Sequence, residues 1–232
     1  MNAAPVRLVS LDVGYTLGEP SGTTLTQRLV ELSPRPAREA KRVAQRILHA
    51  LDPNMDTTGP QTVCAALGIA PSAFPHDHRP PAFALWPGAV EAVAQIARDV
   101  PVVTLSNVSH WDERETDVAA LLTPHLRAHH PSWRIGFAKP DPRAVETVAR
   151  LHDRDPAEVL HVGDSLDYDV RGALAAGAQA LWITPRPPSA EALRLLAEHP
   201  GRVTVMPDLA RAVRHIEQTL PSSTPSTRSA TP

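Results

Sequence analysis

The chain of 232 residues suits one large domain or one domain with a modest insertion, and its 42% hydrophobic and 21% charged residues are typical of a globular protein. Its formal net charge of -2 provides no basic field for nucleic acid or an anionic membrane surface, so neither is expected as a partner. No apolar run approaches the roughly 20 residues that a membrane helix needs. The single cysteine, Cys64, excludes an internal disulfide and fits a reducing compartment, which favours a cytoplasmic location.

The first predicted element is a short apolar strand that ends in a carboxylate. The run from Val6 to Leu11 suits a buried strand, and Asp12 follows it directly. Gly14, which tolerates almost any backbone angle, and Thr16 come next. Because open α/β sheets bind ligands just beyond the carboxyl ends of their strands, Asp12 is a candidate nucleophile. The alternative is an aspartate that opens a surface loop.

A long, mostly helical segment separates this strand from the next α/β unit. Helical spacing of apolar residues predicts helices over Thr24–Leu32, Ala37–Leu51 and Pro60–Leu67, the last closed by Gly68. The glycine- and proline-rich stretches 18–22 and 71–87 are predicted to be irregular. The segment is too long for an ordinary strand-to-helix loop, so it predicts an inserted helical subdomain.

Regular alternation of strands and helices resumes after Trp86. Strands are predicted at 100–105, 133–137, 159–162, 180–183 and 203–206, and helices at 89–98, 112–122, 142–151, 170–176, 189–198 and 209–220. The alternation predicts an α/β fold, a Rossmann-like doubly wound and mostly parallel sheet, with the helical subdomain inserted after the first strand. The last residues, 221–232, are rich in Ser, Thr and Pro and are predicted to be disordered.

Chemically reactive side chains follow four of the predicted strands: Asp12, Ser106 with Asn107, Lys139, and Asp164. In a doubly wound sheet the carboxyl ends of the strands converge on one crevice. A carboxylate, a hydroxyl and an ammonium in one crevice favour phosphoryl transfer, because the phosphate charge must be neutralised before an anionic aspartate can attack.

The stretch after the strand at 159–162 carries the most carboxylates. Asp164 and Asp169 lie five residues apart, with Asp167 between them. Such hard oxygen ligands suit Mg²⁺. An aspartate that caps the following helix is the alternative, but it does not explain Gly163 beside Asp164 at the strand end.

Four segments, in this order, resemble the signature motifs of the haloacid dehalogenase-like (HAD) hydrolase superfamily. They are VRLVSLDVGYTL, VVTLSN, Lys139-Pro140 and HVGDSLDYDVRGALAAG. Each motif alone is weak, but four in order with suitable spacing are specific, and the resemblance covers roughly residues 6–185. It implies a catalytic core at 1–17 and 86–220 and a helical C1 cap at 18–85.

The resemblance also implies roles for the residues at the strand ends. Asp12 would be the nucleophile that forms an aspartyl-phosphate with a small phosphorylated substrate. Ser106 and Asn107 would bind the substrate's phosphoryl group. Lys139 would neutralise Asp12 and the phosphate. The oligomeric state stays open.

The family resemblance further implies a magnesium site. Asp12, the main-chain carbonyl of Gly14 and the carboxylate of Asp164 would hold Mg²⁺. Asp169 would support the metal shell or orient Lys139.

Gly14 departs from the family pattern, which has a second aspartate there to protonate the leaving group and later activate water. The loss of a positioned general acid typically costs about 10²–10⁴-fold. One interpretation is a phosphatase in which water, the cap or His110 transfers the proton, or in which the leaving group needs little help. By default, His110 is an exposed loop histidine. Another interpretation is a 2-haloacid dehalogenase-type hydrolase, which needs no proton for a halide, although the fourth motif here keeps Gly163 and Asp164. The third is a catalytically weakened binding protein.

Two further groups of residues carry weaker signals. His125, His129 and His130 form a small cluster, in which a metal shared by His125 and His129 is one interpretation and a solvated face is the default. The arginines of the inserted segment either form a solvated helix face or recognise a substrate anion; they are Arg28, Arg35, Arg38, Arg42 and Arg46.

Overall fold

The computed structural model describes residues 4–50, 58–113 and 117–220. The strands in these ranges are β1 (Leu8–Leu11), β2 (Gly18–Ser21), β3 (Ala82–Leu85), β4 (Val102–Ser106), β5 (Ala128–Pro131), β6 (Val159–Gly163), β7 (Gln179–Ile183) and β8 (Val203–Met206). The α-helices are α1 (Leu25–Leu32), α2 (Ala37–Leu48), α3 (Gly59–Leu67), α4 (Ala89–Ile96), α5 (Asp117–Leu122), α6 (Ser132–Ile135), α7 (Pro142–Leu151), α8 (Arg171–Ala175), α9 (Ala190–Glu198) and α10 (Leu209–Thr219).

Six of the strands form one parallel sheet in the order β5-β4-β1-β6-β7-β8. The first strand lies in the middle, where Leu11 is paired with Thr104 of β4 on one side and with Val162 of β6 on the other. The predicted α/β fold is therefore confirmed. Because all six strands run the same way, the residues that follow β1, β4 and β6 lie at one edge of the sheet.

Helices cover both faces of this sheet. All four residues of β1 are buried, as expected for a strand in the middle of a doubly covered parallel sheet. Val9 and Leu11 pack with α4 and α10, and Leu8 packs on the opposite face with α7, α8 and α9. Within the described residues, no helix has the length and apolar character that crossing a bilayer requires.

The helical insert, which we define as residues 22–81, has its own apolar core. Its helices α1, α2 and α3 contribute buried side chains that include Leu29, Ala44 and Leu67. The third helix ends, as predicted, at Gly68, whose φ of 70° is in the left-handed region that glycine favours.

The insert leaves and rejoins the rest of the chain through an antiparallel ribbon of β2 and β3. Gly18 is paired with Leu85, and Ser21 with Ala82. The prediction that 18–22 and 71–87 are wholly irregular was therefore wrong. A two-stranded ribbon accepts Pro20 because each of its strands has an unpaired edge, and a pairing between stretches so far apart in sequence leaves no local pattern.

Three other predicted elements differ from the structure. The predicted strand at 133–137 is instead β5, which ends at Pro131, followed by the short helix α6. The predicted helix at 112–122 has Asp112 in a turn, and its described helical residues are Asp117–Leu122. The helix predicted over Ala37–Leu51 ends earlier, at Leu48, with His49 as its C-terminal cap. The predicted disordered tail at 221–232 lies outside the described residues.

Candidate active site

Lys139 joins two carboxylates at the carboxyl edge of the sheet. Its Nζ donates to Asp12 Oδ1 at 2.7 Å and to Asp169 Oδ1 at 2.6 Å. The three side chains are only 1%, 11% and 3% exposed. Burial alone would lower the pKa of Lys139, but the charges of Asp12 and Asp169 outweigh it and raise that pKa. The lysine is therefore a permanent cation beside the proposed nucleophile.

The backbone of Lys139 is held by Asn107, just beyond the end of β4. Asn107 Nδ2 donates to the carbonyl of Lys139 at 2.7 Å, and Asn107 Oδ1 accepts from the amide of Lys139 at 2.9 Å. Both polar ends of the Asn107 amide are thus used within the protein. Asn107 also lines the cavity above the sheet edge, together with Ser106, which is 9% exposed.

Asp169 is fixed by three donors. Besides Lys139, Asp169 Oδ1 lies 3.1 Å from His161 Nε2, and Asp169 Oδ2 accepts from the amide of Ser165 at 2.9 Å. Burial alone would raise the pKa of Asp169, but the charge of Lys139 and the contact with His161 lower it well below its usual range. Asp169 is therefore a fixed anion that orients Lys139.

His161 extends this network through the sheet. Its Nδ1 lies 3.1 Å from Ser10 Oγ of β1, and both residues are fully buried. Burial and the charge of Lys139 lower the pKa of His161, so the ring is neutral at pH 7. A neutral ring that donates from Nε2 to Asp169 accepts at Nδ1 from the hydroxyl of Ser10.

A glycine allows Asp169 to approach the end of β6. A Cβ built on Gly163 would overlap the carboxyl group of Asp169. We expect Gly163→Ala to displace Asp169 and to destabilise the protein by about 1–3 kcal/mol, the usual cost of overpacking. Urea denaturation measures this loss, and Gly14→Ala is the matched control because a Cβ at Gly14 meets nothing within 4 Å. Equal stability of the two variants would contradict the expectation.

Asp12, Asp164 and Asp169 form a carboxylate cluster in which one oxygen from each lies within 4.8 Å of the others. Burial raises the pKa of Asp164 to about 6, and the charge of Asp169 adds to this effect. Burial likewise raises the pKa of Asp12 to about 6, although Lys139 opposes the shift. With one ammonium among three carboxylates, a divalent cation would relieve the remaining repulsion, so the donor set fits Mg²⁺.

The donors already bound to each carboxylate divide the cluster into two parts. Asp169 accepts from Lys139 and the Ser165 amide and contacts His161, which leaves it little capacity for a metal. Asp12 Oδ2 has one hydroxyl donor, Thr16, at 3.2 Å. Asp12 and Asp164 are therefore the better candidate ligands.

A cavity of about 610 Å³ opens above this edge of the sheet, between the core and helices α1 and α2. Gly14, Ser106 and Asn107 contribute to its wall from the core side. On the side of the insert, Lys41, Gln45 and His49 line it from one stripe of α2 and its C-terminal cap. The space is enough for a small molecule against Val13 and Gly14, the two residues that follow Asp12.

Two sets of contacts fix the insert against the core. Asp112 Oδ1 accepts from the amide of Leu25, at the start of α1, and lies 2.8 Å from His78 Nε2. Tyr168, one residue before Asp169, donates its hydroxyl to Gln45 Oε1 of α2 at 3.2 Å. The second contact connects the helix above the cavity directly to the turn that holds Asp169.

The histidine cluster considered from the sequence is not a shared metal site. His129 Nδ1 lies 2.6 Å from Thr104 Oγ1, whereas His130 pairs with His152. Within the described residues, the three aspartates are the only group of three or more potential ligands whose ligand atoms all lie within 4.8 Å of one another. His110 stacks on Trp111 and is not among the described residues that line the cavity.

Sequence reasoning missed His161, Tyr168 and His49. His161 had a local signal, because it is a polar residue in the middle of an apolar strand. Tyr168 and His49 had none, because their position depends on how α2 packs over the sheet.

Comparison with known proteins agrees with this geometry. A model of the haloacid dehalogenase-like hydrolase family matches residues 61–177. The phosphoserine phosphatase of Thermus thermophilus is 34% identical to this chain over 102 residues, which is 44% of the chain and 41% of that enzyme. The match therefore spans well under half of the relative's length.

Solved structures share the whole architecture at low identity. A 2-haloacid dehalogenase from Pseudomonas syringae superposes with a TM-score of 0.58 at 19% identity, covering 92% of this chain and 98% of that one. A HAD hydrolase from Bacillus subtilis, solved with bound magnesium, gives 0.55 at 18% identity, covering 92% and 99%. These likenesses establish the fold alone. Because the family model matches half of the chain and the fold agrees, the chain belongs to the haloacid dehalogenase-like hydrolase family.

Proposed function

We propose that this protein is a Mg²⁺-dependent phosphatase that hydrolyses a small phosphorylated molecule through an aspartyl-phosphate on Asp12. The observation that carries the proposal is the arrangement of Asp12, Lys139 and Asp164. A buried carboxylate is aligned by an ammonium, and a second carboxylate stands where a cation would join the two. The similarity to a phosphoserine phosphatase supports a phosphate ester as substrate. The single cysteine favours a cytoplasmic setting.

The residues divide the reaction into two displacements. In the first, an oxygen of Asp12 bonds to phosphorus while the bond from phosphorus to the leaving oxygen breaks. In the second, water attacks phosphorus, the bond to Asp12 breaks, and inorganic phosphate leaves. Lys139 offsets negative charge throughout, and Ser106 donates its hydroxyl to a phosphoryl oxygen.

A bound Mg²⁺ would supply the positive charge that lets an anionic aspartate approach a phosphate dianion. Asp12, Asp164 and the main-chain carbonyl of Gly14 would hold it. Asp169 keeps Lys139 directed at Asp12, and Asn107 keeps the backbone of Lys139 in place.

A 2-haloacid dehalogenase is the second candidate, favoured by the missing acid at Gly14, because a halide leaves without a proton. The carboxylate cluster argues against it. Without a metal cation, the carboxylates of Asp12, Asp164 and Asp169 outweigh the single ammonium of Lys139. Such a site would repel a 2-haloacid, because that substrate is itself an anion. A third possibility is a weakened enzyme that binds its ligand without turnover.

Metal removal separates these candidates. On a panel of phosphate monoesters, we expect the protein to release inorganic phosphate in the presence of Mg²⁺. Treatment with EDTA should slow this release at least about 10²-fold, and added Mg²⁺ should restore it. The matched assay is halide release from 2-chloropropionate without metal. Halide release would establish the dehalogenase instead, and ligand-induced thermal stabilisation without any turnover would favour the binding protein.

Mg²⁺ affinity should depend on pH near 6. A metal ligand must be deprotonated, and Asp12 and Asp164 both have a pKa raised to about 6. As the pH falls below 6, both take up protons that Mg²⁺ must displace. We expect the apparent affinity, measured by calorimetry, to be about tenfold or more weaker at pH 5 than at pH 7. An affinity that does not change over this range would contradict the assignment of these ligands.

A further inference from the structure

We propose that His49, from the helical insert, is the proton-transfer residue of this site, giving a proton to the leaving group and taking one from the attacking water. The proposal rests on the phosphatase function proposed above. Its starting point is chemical, because an alkoxide is a poor leaving group unless a positioned acid protonates it as the bond breaks. Gly14, two residues after Asp12, has no side chain for this task, and the space around it is open.

His49 comes into the site from the end of α2. It caps the C-terminus of that helix, is 8% exposed, and lines the same cavity as Gly14 and Ser106. Four residues earlier on the same helix, Gln45 is held by Tyr168 of the core. The helix that carries His49 is thus tied to the turn that carries Asp169.

The charge of Lys139 reaches His49 as well as the groups at the sheet edge. Burial and, to a smaller extent, the charge of Lys139 lower the pKa of His49 to about 4. The same charge acts on Asp12, Asp164 and Asp169. With Mg²⁺ bound, the positive charges of the metal and Lys139 would balance the three carboxylates, so an added phosphate dianion makes the site negative and favours the protonated imidazole when substrate is present.

Two other proton-carrying groups of the cavity, His129 and Asp112, are held by partners of their own. His129 is bonded to Thr104 and lies 3.2 Å from Glu113. Asp112 accepts from Leu25 and Ser109 and contacts His78. The contacts of Asp112 serve the packing of the insert on the loop after β4, and those of His129 stay within the core, whereas His49 lines the same cavity as Gly14.

The two steps of the reaction use a single proton, which His49 gives up in the first step and regains in the second. In the first, the imidazolium gives its proton to the leaving oxygen as the bond from that oxygen to phosphorus breaks and Asp12 is phosphorylated. In the second, water bonds to phosphorus, its proton passes to the neutral imidazole, and the bond from phosphorus to Asp12 breaks. His49 returns to its starting state, and the products are an alcohol and inorganic phosphate.

The test compares His49→Asn with wild type on an alkyl phosphate and on 4-nitrophenyl phosphate, both with Mg²⁺. For the alkyl ester we expect kcat to fall about 10²–10⁴-fold with little change in KM. 4-Nitrophenolate leaves without help, so its first turnover should remain fast. The steady state should be slow, giving a burst of one nitrophenolate per site as the aspartyl-phosphate accumulates.

A second substitution distinguishes a chemical role of His49 from a structural one. Gly14→Asp, added to His49→Asn, offers a carboxyl group from the core side and should restore at least about tenfold of the lost kcat on the alkyl ester. His125→Asn, the same replacement at a histidine outside the cavity, should leave both substrates unaffected. An unchanged kcat in His49→Asn, or a loss without a burst that Gly14→Asp does not restore, would overturn the inference. Wild-type turnover that disappears in Asp12→Asn tests the proposed function separately.

Discussion

Asp12→Asn should abolish Mg²⁺-dependent phosphate release, with kcat at least about 10³-fold below wild type. The amide has nearly the shape of the carboxylate, but it cannot form the bond to phosphorus. It also removes one of the two carboxylates proposed to hold Mg²⁺. The measurement is inorganic phosphate release on the best substrate of the panel, and near-normal turnover would contradict the nucleophile assignment.

The stability of this variant distinguishes lost chemistry from lost structure. In the folded protein the pKa of Asp12 is raised to about 6 by burial, so its ionised form opposes folding at pH 7. The neutral amide removes that cost, still accepts from Lys139, and leaves the contact of Lys139 with Asp169 intact. We expect the Tm of Asp12→Asn to equal or exceed that of wild type.

Lys139→Met should remove activity and also destabilise the fold. It leaves Asp12 and Asp169 buried without their cation, and breaking a buried pair from one side costs about 3–5 kcal/mol. The free energy of unfolding in urea measures this at pH 8. The loss should shrink at pH 5, because carboxylates that lack the lysine take up protons more readily and no longer need it.

The chain contains its own control for this experiment. Its other lysine, Lys41, is exposed on α2 at the cavity. Lys41→Met removes the same charge and introduces the same side chain without leaving a buried carboxylate unpaired, so its unfolding free energy should stay within about 0.5 kcal/mol of wild type. Equal destabilisation of the two variants would show that Lys139 stabilises the fold no more than an exposed lysine.

Much of the sheet could be predicted from the sequence because its signals are local. The three apolar residues of β1 and the alternation after Trp86 predicted the parallel sheet. Since parallel strands end at one edge, the same pattern predicted that Asp12 and Asp164 would meet. Lys139 was also expected there, but after a strand at 133–137, and in the structure it follows the helix α6 instead. The structure brings these side chains together, as the contacts of Lys139 with Asp12 and the carboxylate cluster demonstrate.

The elements that were missed depend on contacts between distant parts of the chain. β2 has the sequence GEPS, which has no strand character of its own and becomes ordered only by pairing with β3. Asn107 was predicted to bind substrate, and the structure shows its amide on the backbone of Lys139, a contact across 32 residues. His49 could not be assigned to the cavity until the packing of α2 on the core was known.

The β2–β3 ribbon has a consequence for how this protein can diversify. Because Ser21 and Ala82 are paired neighbours, the chain leaves and re-enters the sheet domain at almost the same point. Another segment can replace residues 22–81 if its two ends lie close together. The entropic cost of closing such a connection grows only slowly with the length of the segment. The ribbon therefore makes the helical insert a replaceable module. A recombined chain could acquire a different substrate pocket in one event while the residues after β1, β4 and β6 kept the nucleophile and the metal ligands, and the new module would have to supply its own group in place of His49.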